Sequence, residues 1–403
     1  MVTPDEPFAA VQPVTPRSVA ELAPLISWPR AGSTADRRVD FPAGTALPDG
    51  RLDLCKQAVG PQGAALIAEA LRIGASRRPA ADDRLGPVRH LLLGTDGLGD
   101  EGAATVAQQT AGTSVETLYL GCNAITAGGA CRIADSVRAS QQPVTGIWLK
   151  RNPLGTGGGH AAAQLINAAA SLRTLDLVQT GLNPAGAAVL AKAVLAAGAG
   201  RRIERIFVSG NPLGRPGAAP LAALIAAGAV GELYASACRL GDDGTLLLAA
   251  ALEQAPYGSL LRLSVASNGI GPRAAERLVT TAVGAGVELL DLGRVRAAGT
   301  LGAPDNQIDT DAATAIGRAL AAREHQLAHL VLTNTGIRSR EAHRILNTAP
   351  AAPTATRFVL GKGVATSIRR RLDALSAHLP MPATAADIAA VRSVYRTAPP
   401  KER

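Results

Sequence analysis

The sequence predicts an α/β solenoid, with a parallel β-sheet on one face, α-helices on the other, and about eleven tandem units. Three observations predict it. A short frame of alternating apolar residues ending in a small polar residue recurs along most of the 403 residues. Each copy is followed by a glycine and an alanine–leucine stretch with helical spacing. The apolar content, 47%, is almost wholly aliphatic, with only ten aromatic residues. A chain of this length outgrows one ordinary globular core. A solenoid escapes that limit, because each repeat packs only on its neighbours and builds thin aliphatic layers.

The frame is clearest at Val115, Leu118, Leu120, Asn123 and Ile125. It recurs at Val144, Ile147, Leu149, Asn152 and Leu154, then at Ile203, Ile206, Val208, Asn211 and Leu213, and again at Leu260, Leu263, Val265, Asn268 and Ile270. Looser copies place Asp96, Thr180, Cys238 and Thr335 at the asparagine position, and Gln57 and Gly363 mark the first and last copies. The usual step between these positions is 27 to 31 residues. Paired apolar residues such as Leu118 and Leu120 lie on one face of a short strand and point inward. The asparagine side chain is placed to bridge backbone groups of adjacent repeats where the chain leaves the strand. Stretches such as LGDEGAATVA from Leu98 and LGRPGAAPLAALIAA from Leu213 read as helices, with Leu221, Leu224 and Ile225 forming a buried stripe.

This period and strand–helix alternation resemble the ribonuclease-inhibitor-like leucine-rich repeat family, over about residues 50 to 365. The resemblance implies a horseshoe with its strands on the concave face and its helices on the convex face. It also implies a role in binding other proteins.

Outside the repeat, residues 1–48 hold Phe8, Trp28 and Phe41 and read as an N-terminal cap. The repeats occupy residues 49–365, and residues 366–403 read as a C-terminal helical cap with a flexible tail. Within that cap, residues 366–378 form a closing helix, and a further helix runs from about Thr384 to Tyr395 with Thr384 as its N-cap. Two steps are long. One carries an insert around Ala75 to Pro87 and reads as a surface loop; the other carries an insert near 293–305, placed to reach over the concave face.

Function in such a fold sits on residues that the core does not need. The residue between the two inward leucines of each strand faces outward, giving Leu92, Tyr119, Trp148, Asp176, Phe207, Tyr234, Ser264, Asp291, Val331 and Val359. Four of the ten aromatics fall in this column. Exposed aromatics in a concave row are suited to anchor a partner. The candidate binding residues are therefore Tyr119, Trp148, Phe207 and Tyr234, with Lys150, Asp176, Arg205, Glu232 and Arg262 around them. On this reading Trp148→Ala abolishes partner capture and leaves the fold intact.

Aromatics fringed by arginines suit a protein or peptide carrying apolar and acidic groups. They would also suit single-stranded nucleic acid, which ranks lower because Asp176, Glu232 and Asp291 interrupt the basic face. The net charge of +9 is compatible with either partner. Three roles fit: an adaptor or inhibitor first, then an accessory subunit presenting a peptide to an enzyme, then a GTPase regulator by fold analogy alone.

No catalytic constellation is visible, and neither a cofactor nor a metal site is expected. LGTGGGH, from Leu154 to His160, occupies the position of the repeat turn LGDEG and lacks phosphate-loop spacing. His325 and His329 fall at a helix end and on the next strand, so their spacing of four has no ligating meaning. The four cysteines form no CxxC pair, and no long apolar run or leader is seen, so a cytoplasmic protein is expected. The preference for arginine over lysine, with abundant alanine and glycine, fits a GC-rich bacterial genome.

Overall fold

The computed structural model describes residues 13–77, 87–140, 143–198 and 201–395. Phe8, most of the Ala75–Pro87 insert and the tail beyond Tyr395 lie outside the described residues. The chain divides into two compact units, residues 1–181 with 384–403, and residues 182–383.

The first unit opens with α1 (Val19–Arg30), capped by Ser18 and Glu21 in a reciprocal capping box. Two short strands follow, β1 (Val39–Phe41) and β2 (Gly44–Ala46), paired antiparallel to each other, and β2 pairs antiparallel with β3 (Arg51–Asp53). From there strand and helix alternate: α2 (Gly60–Arg77), β4 (His90–Leu92), α3 (Gly99–Gln109), β5 (Thr117–Tyr119), α4 (Ala127–Ser140), β6 (Gly146–Trp148), α5 (Gly158–Ala168) and β7 (Thr174–Asp176). β3 to β7 are parallel and adjacent in sequence order, with Asp53, Leu92, Tyr119, Trp148 and Asp176 in one register row.

The second unit repeats the pattern through α6 (Pro184–Ala196), β8 (Ile203–Phe207), α7 (Gly214–Ala226), β9 (Val230–Tyr234), α8 (Gly241–Gln254), β10 (Arg262–Ser264) and α9 (Pro272–Ala285). It continues through β11 (Leu289–Asp291), α10 (Thr310–Ala321), β12 (His329–Leu332), α11 (Ser339–Thr348), β13 (Arg357–Leu360) and α12 (Thr366–Leu375). β8 to β13 are again parallel neighbours, with Phe207, Tyr234, Ser264, Asp291, Val331 and Val359 in one row.

The inward leucines are where the frame puts them. Leu91, Leu93, Leu118, Leu120, Ile147 and Leu149 are fully buried in the first unit, as are Ile206, Val208, Leu233, Leu263 and Val265 in the second. The polar ladder is also present. Asn123 Oδ1 accepts from the amides of Asp96 (2.9 Å) and Leu98 (3.4 Å), and its Nδ2 donates to Leu93 and Leu120 carbonyls. Asn152 does the same for Asn123 and Ile125, Asn268 for Cys238 and Leu240, and Asn306 for Asn268 and Ile270. Thr180, Thr335 and Cys238 keep the donating half of the role, each bonding a backbone carbonyl at or just past the end of a strand. Each bond satisfies a buried backbone group whose exposure to a dry core would cost about 1–3 kcal/mol. The residue just before the ladder position adopts left-handed φ, as at Thr95, Cys122, Arg151, Gln179, Ala237, Ser267 and Asn334. That kink turns the chain off the strand.

Small helix residues set the repeat spacing. A Cβ at Gly129 in α4 would lie 2.9 Å from Asp100 Cα in α3. Asp100 uses this approach to accept from Thr126 N (2.6 Å) and Thr126 Oγ1 (2.6 Å), holding the start of α4. Asp242 accepts from Gly271 N (2.5 Å) in the equivalent place of the second unit. Each unit is thus an α/β solenoid of leucine-rich repeats.

The 293–305 insert lies along the strand-exit rim of the second unit. Ala298 and Ala303 pack on Ala237, Val295 N donates to the Ser267 hydroxyl (3.0 Å), and Arg239 donates to the Leu301 carbonyl (3.4 Å). Its alanines are drawn to the apolar rim of the preceding turns.

Candidate functional site

In the first unit the outward row differs from the sequence expectation. Tyr119 is 2% exposed, Trp148 5% and Asp176 3%, and Leu92 is fully buried. The rings lie down instead of projecting. A Cβ at Gly94 would meet Tyr119 Cε1 at 2.5 Å, so the bare backbone there gives the ring its bed. Gly146 plays the same part for the Trp148 indole, whose Nε1 would stand 3.3 Å from an added Cβ. Tyr119 and Trp148 pack with centroids 6.3 Å apart, and Lys150 Nζ sits 5.6 Å from the Tyr119 centroid. Such a cation over a ring contributes about 0.5–2 kcal/mol. Lys150 also draws Asp176 toward ionisation, but burial prevails and pushes that carboxyl up to about 6. Asp176 Oδ1 accepts from Val178 N (2.8 Å). Lys150 and Asp176 are thus committed within the fold.

The chain's own C-terminal segment holds this face. Residues 384–395 include a short helix, α13 (Ala386–Ala390). Asp387 accepts from the Thr174 hydroxyl on β7. On β3, Arg51 donates to the Arg392 carbonyl, and Val394 N donates to Asp53 Oδ2 (2.6 Å). Tyr395 and Thr45 on β2 share a hydroxyl hydrogen bond (2.7 Å). β4, β5 and β6 lie between β3 and β7, so the segment crosses the strands that carry Leu92, Tyr119 and Trp148. The long helix read from Thr384 to Tyr395 is therefore only five residues, and its N-cap is Ala385, not Thr384. Thr384 instead accepts from Arg392 (2.9 Å). The bonds to β3 pull the backbone after Ala390 out of helical geometry.

The second unit has a more open row. Phe207 and Tyr234 stack with centroids 4.3 Å apart and planes 7° apart, both only partly buried. Tyr234 donates to Glu232 Oε2 (2.7 Å). The other oxygen of Glu232 faces Arg205 Nε (3.2 Å) and Arg262 Nε (3.9 Å). Burial and this carboxylate together push the Tyr234 hydroxyl well above its usual range. The arginines expected to await an acidic partner are therefore already paired. Arg262 also donates to the Ala383 carbonyl (2.8 Å), and Arg357 to the carbonyls of Ser376 (2.9 Å) and Leu379 (2.6 Å).

Register brings Tyr119, Trp148, Asp176 and Lys150 together in the first unit, and Arg205, Glu232, Arg262, Phe207 and Tyr234 in the second. Sequence reasoning missed Arg51, Asp53 and Thr174 as seats for a peptide segment, and missed Asp387, Val394 and Tyr395 as its occupants. Asp53 lies in the outward row of the first repeat, so continuing that row back one strand would have exposed an acid with no core role.

No protein-family model matches the chain, and no curated protein matches it in sequence. Among solved structures it is similar to a chain in the crystal structure of the Rad7 and Elc1 complex in yeast. The identity is 12%, over 77% of this chain and 75% of that chain, with a TM-score of 0.43. No described helix is long and apolar enough to cross a membrane.

Proposed function

We propose that the chain is a non-catalytic scaffold that binds a protein or peptide, as an adaptor or inhibitor, through the outward faces of its strands. The observation that carries this is the stacked Phe207–Tyr234 pair on the second unit, partly open to solvent above a core already filled by Ile206 and Leu233. Packing of the repeat does not require two rings there, and flat aromatics on a rigid sheet lose little entropy when they anchor a partner. Because Arg205 and Arg262 are spent on Glu232, the surface favours a partner offering apolar groups, with acidic groups secondary. The same pairing weighs against nucleic acid, whose phosphates need uncommitted cations.

The helix carried by nearly every repeat and the usual step of 27 to 31 residues support the ribonuclease-inhibitor-like subtype. The four thiols are free, which suits a reducing compartment such as the cytoplasm.

The test is affinity capture from native cells with wild type and Phe207→Ala, each checked by circular dichroism. The expected result is at least tenfold loss of the captured protein with unchanged helix signal. Equal capture by both would remove this face from consideration.

A further inference from the structure

We propose that the outward face of β3–β7 is a peptide-binding seat whose resident ligand is the chain's own residues 384–395, held by bonds that can exchange. This deepens the scaffold reading and rests on it, but concerns a different face from the Phe207–Tyr234 pair.

The seat reads both main chain and side chains. The Arg51 guanidinium takes a carbonyl, the Asp53 carboxylate takes an amide, and the Thr174 hydroxyl takes a carboxylate. Asp53 is fully buried, and its two oxygens are satisfied by Cys55 N (3.1 Å) and Val394 N (2.6 Å). The face is therefore complete only when a peptide amide lies on it. An uncovered Asp53 would need water or another chain in its place.

The segment that supplies this amide is weakly built. Its one helix has five residues and no side-chain cap, too short to be stable alone. Of the residues between Asp387 and Val394 only Ala390 and Ser393 are buried, and much of the segment stays partly exposed. A handful of polar bonds hold it on the sheet, so its local opening is easier than unfolding of the repeats. A partner segment able to compete must present a carboxylate toward β7 and an unblocked amide toward β3. These groups are seven residues apart in the resident. In the closed state the resident excludes such a partner, and partner affinity is lowered by the fraction of chains that are closed.

The experiment uses the full-length chain and a fluorescein-labelled synthetic peptide of residues 384–395. Anisotropy is read against wild type, Asp387→Ala, and the double variant Asp387→Ala/Val394→Pro, the last lacking the amide offered to Asp53. The expected result is at least tenfold tighter peptide binding by the double variant than by wild type, with Asp387→Ala between them. A peptide carrying Asp387→Ala should bind the double variant at least tenfold more weakly. The single variant carries the test if the double variant does not fold, because Asp387 is only partly buried on a surface segment. Peptide binding to none of the folded chains, or with equal affinity to all of them, overturns the proposal. Neither result bears on capture through Phe207, and loss of that capture leaves the peptide measurement standing.

Discussion

Val394 donates its amide to the wholly buried carboxylate of Asp53 at 2.6 Å, joining a strand near the start of the chain to a segment near its end. Asp53→Ala leaves this amide and that of Cys55 without their acceptor. The expected cost is about 1–3 kcal/mol, read as a lowered denaturation midpoint. Hydrogen exchange should show faster exchange at 391–395, with the amides of β5 unchanged. Equal protection of both regions in the variant would mean that Asp53 does not hold the segment.

Asp96 stands where five other repeats carry asparagine. Its Oδ1 accepts from Gln57 N (3.0 Å) and Val59 N (3.3 Å), and its buried Oδ2 has no described hydrogen-bond partner. Burial outweighs these donors and pushes the carboxyl up to about 8. The folded state thus holds a proton that the unfolded chain releases near its ordinary range, about 4. Stability from this group is present at low pH and is lost as pH rises from about 4 through 8. Asp96→Asn should raise stability by about 1–3 kcal/mol at pH 9 and flatten the profile between pH 6 and 9. Urea melts across that range check it, and parallel profiles for the two proteins would refute it.

Trp148 is 5% exposed, so its loss acts first on the fold. Trp148→Ala should cost about 3–5 kcal/mol, as large-to-small core changes do. This replaces the expectation that the variant keeps its fold and loses only its partner. In a Trp28→Phe background, Trp148 emission should be blue-shifted and poorly quenched by iodide. A red-shifted, fully quenched indole would contradict the burial.

Ala124 follows the ladder asparagine with φ +58° and an exposed side chain. An L side chain pays for the left-handed region and glycine does not. Ala124→Gly should therefore stabilise by about 0.5–1 kcal/mol, after the extra freedom that glycine gains in the unfolded chain. Thermal melts of the two proteins measure the sign.

Burial pushes the thiols of Cys55 and Cys238 up to about 12. Alkylation needs the thiolate and access. Iodoacetamide at pH 8 should modify Cys122 and Cys131 in the native protein and spare the other two, with all four reacting in urea. Peptide mass spectrometry distinguishes these outcomes.

Much of the repeat was legible because its signals are local. The spacing of Leu118, Leu120 and Asn123 reflects strand alternation and a turn, both set within about ten residues. The ladder partner of each asparagine is one repeat away, so periodicity reveals it too. The site was less legible. Alternation shows that Tyr119 and Trp148 face away from the core, but whether an outward ring is exposed depends on what lies beside and above it. Gly94, just past the end of β4, forms the bed of the Tyr119 ring, and Gly146, two residues before Trp148 on β6, leaves room for the indole; the glycines carry no mark of that role in the sequence.

The sequence by itself determined the repeat, its register and the residues of the outward row, because each follows from short-range periodicity under one hydrophobic rule. Only the tertiary structure decided that Arg205 and Arg262 are spent on Glu232, and that residues 384–395 lie across β3 to β7. Those pairings join groups from different repeats, or from segments some 340 residues apart, as with Asp53 and Val394. Hydrogen bonding between such distant groups depends on where the folded backbone carries them, and no local pattern records it.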